Sequence, residues 1–178
     1  IIDHKNLLNE GNGQADLVGE NLCTLKGNDV ENPSIIFDFG KELHGGLEIV
    51  TGMFAGQEPI NVRVTFGESV SEAMSRVETS TATNDHAMRD FPIQLPWLGK
   101  LEVGNTGFRF VRIELLDKNR ELKLKEVRAI SVYRDIPYLG SFRSNDDRLN
   151  KIWETGAYTV HLNMQDFLWD GIKRDRLF

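Results

Sequence analysis

The chain has 178 residues, of which 40% are hydrophobic and 27% charged, with a formal net charge of -6 at pH 7. That length holds one domain of ordinary size, or one domain with an appendage, and is too short for a complete barrel enzyme of the TIM or large glycosidase type. The one cysteine, Cys23, excludes an internal disulfide framework and any multi-cysteine metal site, and no apolar run approaches the ~18 residues that a membrane helix needs.

Charge is uneven along the chain. Residues 1–100 carry 15 Asp and Glu against 7 Lys and Arg, and residues 101–178 carry 12 against 14. The bases of the second part mostly alternate with apolar residues, so no phosphate-binding stripe forms, and neither nucleic acid nor a membrane is an expected partner. The chain opens on Ile1 and closes on Leu177-Phe178, which reads as a piece of something longer.

Residues 1–33 are polar and turn-rich, and serve as an irregular lead-in. Ile35 to Gly40 is a short β-type run, and Leu43 to Val50 a second one with Gly45-Gly46 inside it. Paired glycines in a strand predict a bulge or another backbone passing close by. Val62, Val64 and Phe66 then alternate with Asn61, Arg63 and Thr65, the cleanest strand signal in the chain. Residues 68–90 lose periodicity and predict a long exposed excursion.

Two prolines between Phe91 and Leu98 predict an edge or interrupted strand. Phe108 to Leu115 is a strand whose apolar phase slips at Phe110-Val111, as a bulge or burial on both faces would cause. Leu122-Lys123-Leu124 and Val127 to Tyr133 continue the β pattern after a turn at residues 117–120. Closely spaced strands with no helix between them predict a mainly β fold, an antiparallel, jelly-roll-like β-sandwich.

The pattern changes at Pro137. Ser144 followed by Asp147 reads as a capping box, and Leu149, Ile152, Trp153, Ala157, Val160 and Met164 recur at helical spacing. This amphipathic helix either docks on the sandwich or opens a further α-helical domain. The expected division is therefore a sandwich domain over residues 1–137 and a linker with a helix over residues 138–178.

Most of the motifs that mimic chemistry have a plainer reading. Asp38-Phe39-Gly40 copies a kinase tripeptide but lies between strands without its companions. His4, His44, His86 and His161 are far apart, so no metal site is expected, and His44 reads as a sheet-surface residue. Cys23 lacks the basic or helical context of a reactive thiol and reads as a buried one. Glu68, after Gly67 at a strand end, either points into a site or stands in solvent, the commoner case. The segment from Trp169 through Asp170-Gly171-Ile172-Lys173-Arg174-Asp175-Arg176 is different, because these residue types suit a sugar site. Carboxylates accept hydroxyl hydrogen bonds, an indole covers a pyranose face, and arginine holds a carboxylate.

Gly140-Ser141-Phe142, Ser144-Asn145-Asp146 and Leu149-Asn150-Lys151-Ile152-Trp153, with Thr159, Asn163 and Gln165, resemble the entry into the catalytic domain of bacterial α-L-rhamnosidases of glycoside hydrolase family 78. Asp170-Gly171, Lys173-Arg174-Asp175-Arg176 is similar to that family's active-site signature. Phe37 to Gly46, Val62 to Glu68 and Gly107 to Val111 resemble the sandwich that precedes it. The resemblance implies inverting hydrolysis of terminal α-L-rhamnosyl residues in an (α/α)6 barrel, of which residues 138–178 would be the truncated start, with no cofactor. It places Asp175 as general acid, Asp170 as an acid that binds sugar hydroxyls, and Arg174 as the motif's arginine.

Many family members carry Glu at the general-acid position, and the general base lies far downstream. The resemblance therefore implies that these 178 residues are inactive alone. It also makes a rhamnose-containing carbohydrate and the remainder of the chain's own catalytic domain the expected partners. The alternatives are a carbohydrate-binding or structural accessory sandwich, and a related glycosidase with another sugar preference. A binding sandwich should display Trp or Tyr on one loop face, whereas Trp97 is the only tryptophan of the β region.

Overall fold

Period-2 alternation of apolar and polar residues is the main organiser of this chain, and the computed structural model, which describes residues 7, 8, 11, 14, 22–79 and 89–173, shows where it leads. Six strands form one antiparallel sheet: β1 (Cys23–Lys26), β2 (Ser34–Thr51), β3 (Ile60–Gly67), β4 (Asp90–Leu95), β5 (Lys100–Leu115) and β6 (Glu121–Ser131), in the order β1-β6-β2-β5-β3-β4. Two helices are added, α1 (Val70–Met74) and α2 (Asp147–Leu162).

The two long strands make the sheet a sandwich. The first part of β2, Ser34 to Asp38, pairs only with the end of β5, whereas Gly45 to Thr51 lie between β5 and β6. Strand β3 pairs with the same end of β5, Phe110 to Leu115. The sheet therefore has two halves joined by β2 and β5, and it folds over so that both halves share one core. Cys23, Leu25, Leu122 and Leu124 from one half join Val62, Val64, Phe66 and Ile113 from the other in a single buried cluster. Strands that change layer through bulges are the usual means of turning such corners.

The corner is built at the expected place. Register breaks between Asp38 and Leu43 and again between Gly45 and Leu47. Gly45 has φ +142°, and a Cβ there would stand 2.0 Å from the Ile130 carbonyl oxygen. At Gly46 a Cβ would meet the Gly104 and Val103 carbonyls at 2.6 and 2.7 Å. Both readings of the glycine pair, bulge and close backbone, hold together. The phase slip in β5 falls opposite the first register break. Inside the corner Phe108 packs edge-to-face on Phe66 and Phe39, at 5.0 and 5.8 Å between ring centres.

The other sequence expectations divide. The proline-containing strand β4 is at the sheet edge, and Cys23 is buried. Trp97 turns inward and donates from Nε1 to the Phe54 carbonyl at 2.9 Å. The two runs expected before residue 51 are one 18-residue strand, since the bulge bends it without ending it. The lead-in contains β1, a four-residue strand too short to show a period, and its pairing with β6 fixes it. His44 is buried, 7% exposed, and not on the sheet surface, because it sits at the corner under the chain around Val132.

Over residues 68–79 the excursion after β3 takes up regular structure. Its helix α1 is capped by Ser69, buries Ala73, and is closed by Arg89, whose Nη1 donates to the Glu72 and Ser75 carbonyls at 3.1 and 3.0 Å. Helix α2 begins two residues later than the expected serine cap implies. Asp146 is its N-cap and accepts from the Arg148 amide at 2.8 Å, while Ser144 braces the approach by accepting from the Asp146 amide. A carboxylate is at least as good a cap as a hydroxyl and also meets the helix dipole.

Ala at Gly45 is expected to destabilise the sandwich by about 3 kcal/mol, the upper end of ordinary overpacking costs. Urea denaturation followed by far-UV circular dichroism measures it, and an unchanged midpoint would contradict the corner geometry.

Candidate functional site

The segment beyond α2 returns to the corner of the sandwich. Helix α2 is held there by Tyr158, whose hydroxyl donates to the Glu42 carbonyl at 2.5 Å and whose ring lies 5.0 Å from Lys41 Nζ. The linker before the helix is tied to the helix through His161. The Nε2 of this imidazole lies 2.6 Å from the Arg134 carbonyl and so carries the proton. Its Nδ1 then accepts from the Tyr138 hydroxyl at 2.9 Å.

After α2 the chain turns on Asn163, whose carbonyl accepts from the Gln165 and Trp169 amides at 3.1 and 3.0 Å. Asp170 follows and is exposed. Ile172 then rests on Gly107 of β5, so closely that a Cβ at Gly107 would stand 2.4 Å from the Ile172 Cγ2. Lys173 enters a group of carboxylates supplied by the sandwich. Its Nζ is 2.7 Å from Glu72 Oε1 on α1 and 3.8 Å from Glu68 Oε1 at the end of β3, with its side chain only 12% exposed. Glu72 also accepts from the Glu68 amide at 2.8 Å and pairs with Arg89 at 3.5 Å.

Glu42, from the bulge of β2, completes the group. Its buried Oε1 has no hydrogen-bond partner among the described residues. Burial first, and then the negative charges of Glu68 and Glu72, push its pKa up to about 7 against the opposing pull of Lys173 and Arg109. Glu72 goes the other way. Burial works to raise its pKa, but the Lys173 hydrogen bond, the Glu68 amide and the charges of Lys173 and Arg89 outweigh it and hold the carboxyl below its usual range. Neighbouring carboxyls with opposite poise are a frequent mark of functional sites. Among the described residues no three His, Cys, Asp or Glu side chains come together as metal ligands. The cations that these carboxylates face are Lys173, Arg89 and Arg109.

Of the residues singled out from the sequence, Asp170 is exposed, three residues ahead of Lys173 in the chain, while Arg174 and Asp175 lie outside the described residues. Glu68 faces Lys173 and is about half exposed, so both of its readings hold in part. Glu42, Glu72 and Lys173 are not recognisable as a group from the sequence. The local signal is the Ser69-Val70-Ser71-Glu72 capping pattern, which puts Glu72 in the first turn of α1.

No protein-family model matches the chain, and no curated protein matches it. Among solved structures it is similar to a rhamnosidase from Klebsiella oxytoca with rhamnose bound, with a TM-score of 0.72 and 23% identity over 86% of this chain and 31% of that one. It is also similar to a glycoside hydrolase family 78 rhamnosidase of Bacillus sp. GL1, with a TM-score of 0.62 and 20% identity over 89% of this chain and 16% of that one. The chain thus spans less than a third of either.

The poise of Glu42 has a consequence for stability. Below the ordinary carboxyl pKa near 4.5 the group is protonated whether the chain is folded or not; as pH rises toward 7 only the unfolded chain ionises, so folding loses free energy until both forms are charged. Glu42→Gln is therefore expected to leave Tm near wild type at pH 5 and to raise it by a few degrees at pH 8. Differential scanning calorimetry at the two values checks this, and an equal shift at both would contradict the assignment. At these identities the comparisons establish the fold, and the chain carries the mainly β architecture of the part of each rhamnosidase that it matches.

Proposed function

We propose that this chain is the sandwich and the opening of the catalytic domain of an inverting α-L-rhamnosidase, which removes terminal α-L-rhamnose from glycosides or polysaccharides. The reading rests on one observation, the extent of the structural likeness. A match covering 86% of this chain cannot fit within residues 1–137, so it runs on into the 138–178 segment that holds α2 and the Asp170 loop. The domain division is residues 1–137 for the sandwich and 138–178 for the start of an α-barrel.

In this reading Asp175 protonates the glycosidic oxygen, and Asp170 and Arg174 shape the sugar subsite. An inverting enzyme places a second carboxylate ~6.5–9.5 Å away to activate water. That base comes from elsewhere in the protein, so the 178 residues are inactive alone. Arg174 and Arg176 favour the ionised form of a carboxyl between them, whereas a general acid must hold its proton. The remainder of the domain therefore has to bury Asp175 or bring another carboxylate to it.

The apolar side of α2 supports a continuing helical domain. Ile152 and Leu149 are 60% and 45% exposed, and a groove of about 510 Å³ runs along the helix between Tyr138, Trp153, Ala157, Val160, His161 and Met164. We assign the following helices of the same domain to this face. The inward-turned Trp97 argues against the rival accessory-module reading.

In the longer protein, Asp175→Asn is expected to lower kcat for an aryl α-L-rhamnoside by about 10²–10⁴, the usual worth of a general acid. Proton NMR of the first product should show the β-anomer. Undiminished turnover would remove Asp175 from the role, and the α-anomer would remove inversion. Saturable binding of rhamnose to the sandwich in calorimetry would favour the accessory module instead.

A further inference from the structure

We propose that Lys173 is a positioning residue, and that the socket of Glu42, Glu68 and Glu72 sets where the loop from Asp170 to Lys173 stands. The role in sugar binding rests on the rhamnosidase reading; the docking of the loop does not. Lys173 lies between Asp170 and Asp175, the two acids assigned to that chemistry, and it is the described member of the charged run that is seated in the sandwich. Three separate elements supply the socket: the bulge of β2, the end of β3 and α1.

Several features make this a built seat. The ammonium is largely withdrawn from solvent and bonds Glu72 at 2.7 Å. Glu72 is itself fixed by the Glu68 amide and Arg89, so it cannot follow a moving lysine. Ile172 fills the place that Gly107 leaves open. Glu42 adds a carboxyl whose charge would otherwise face Glu68 and Glu72, with Arg109 and Lys173 opposing them and Tyr158 bonded to its backbone. An ammonium held on one side by a half-buried carboxylate and on the other by the chain that carries it fixes the height of that chain above the sheet. Reaction geometry tolerates little error, and a misplacement of about 1 Å can cost 10²-fold in rate.

The experiment uses Lys173→Met, Lys173→Arg and Glu72→Gln. In NMR of this chain, the contact between the Ile172 methyls and the Gly107 Hα protons should vanish in Lys173→Met and Glu72→Gln and persist in Lys173→Arg, while the β2–β5 amide signals stay in place. In the longer protein, Lys173→Met should lower kcat for an aryl rhamnoside at least tenfold with KM changed less, and Lys173→Arg should restore most of it. Retention of the Ile172 contact in both neutral variants overturns the proposal. So does full activity of Lys173→Met. If the wild-type longer protein leaves rhamnosides intact, the rhamnosidase reading fails, and the NMR contact alone decides the seating of the loop.

Discussion

Everything in this molecule depends on two strands changing layer at one corner. β2 and β5 are each long enough to belong to both halves of the sandwich, and they can do so only where their backbones approach within the space of a side chain. Gly45 and Gly46 meet carbonyls of β6 and β5, and Gly104 receives the ring of Phe66. A Cβ at any of these points would collide with backbone or with a packed aromatic ring. The corner therefore carries a steric demand that sequence must meet with glycine, and the shared core follows from it.

The same corner makes the candidate site. A bulge pushes residues out of the ladder, and here it releases Lys41 and Glu42 toward α2. Gly107, one step along β5, leaves the gap for Ile172. The helix and the loop after it are consequently held by polar and electrostatic contacts, together with Ile172 on Gly107, at a place where the sheet is least regular. The sandwich core itself makes no use of them, so the junction can be altered without dismantling the fold.

How much of this is legible in the sequence depends on the range of the interaction involved. The alternation at Val62, Val64 and Phe66, the prolines of the edge strand, the glycine pair and the spacing of α2 are all local signals, and each leads to the right element. β1 is not legible because four residues carry no period and its place is set by pairing with β6, about a hundred positions away. α1 is hidden for a related reason. It is only five residues long and buries only Ala73, and the stretch after it is held to the sheet by ions: Arg76 to Glu114 at 2.9 Å and Arg63 to Glu78 at 3.1 Å. Charge pairs between distant positions leave no periodic trace. Of the site, the charged run at residues 170–176 is conspicuous, but its partners Glu42 and Glu72 come from elements whose meeting only the folded chain reveals.

This separation of signals bears on what the sandwich is for. An isolated pair of surface charges is worth little, and Lys173 with Glu72 would count as one if both stood in solvent. They do not. Burial penalises each of these two carboxyls, and Glu42 meets that penalty by holding a proton near neutral pH while Glu72 meets it by taking the lysine. Burial and the neighbouring charge of Glu68 act on Glu42, while Lys173 and Arg89 act on Glu72, so their division of roles is a property of the assembled junction. A loop seated in this way is located by the sandwich, and its chemistry inherits that location.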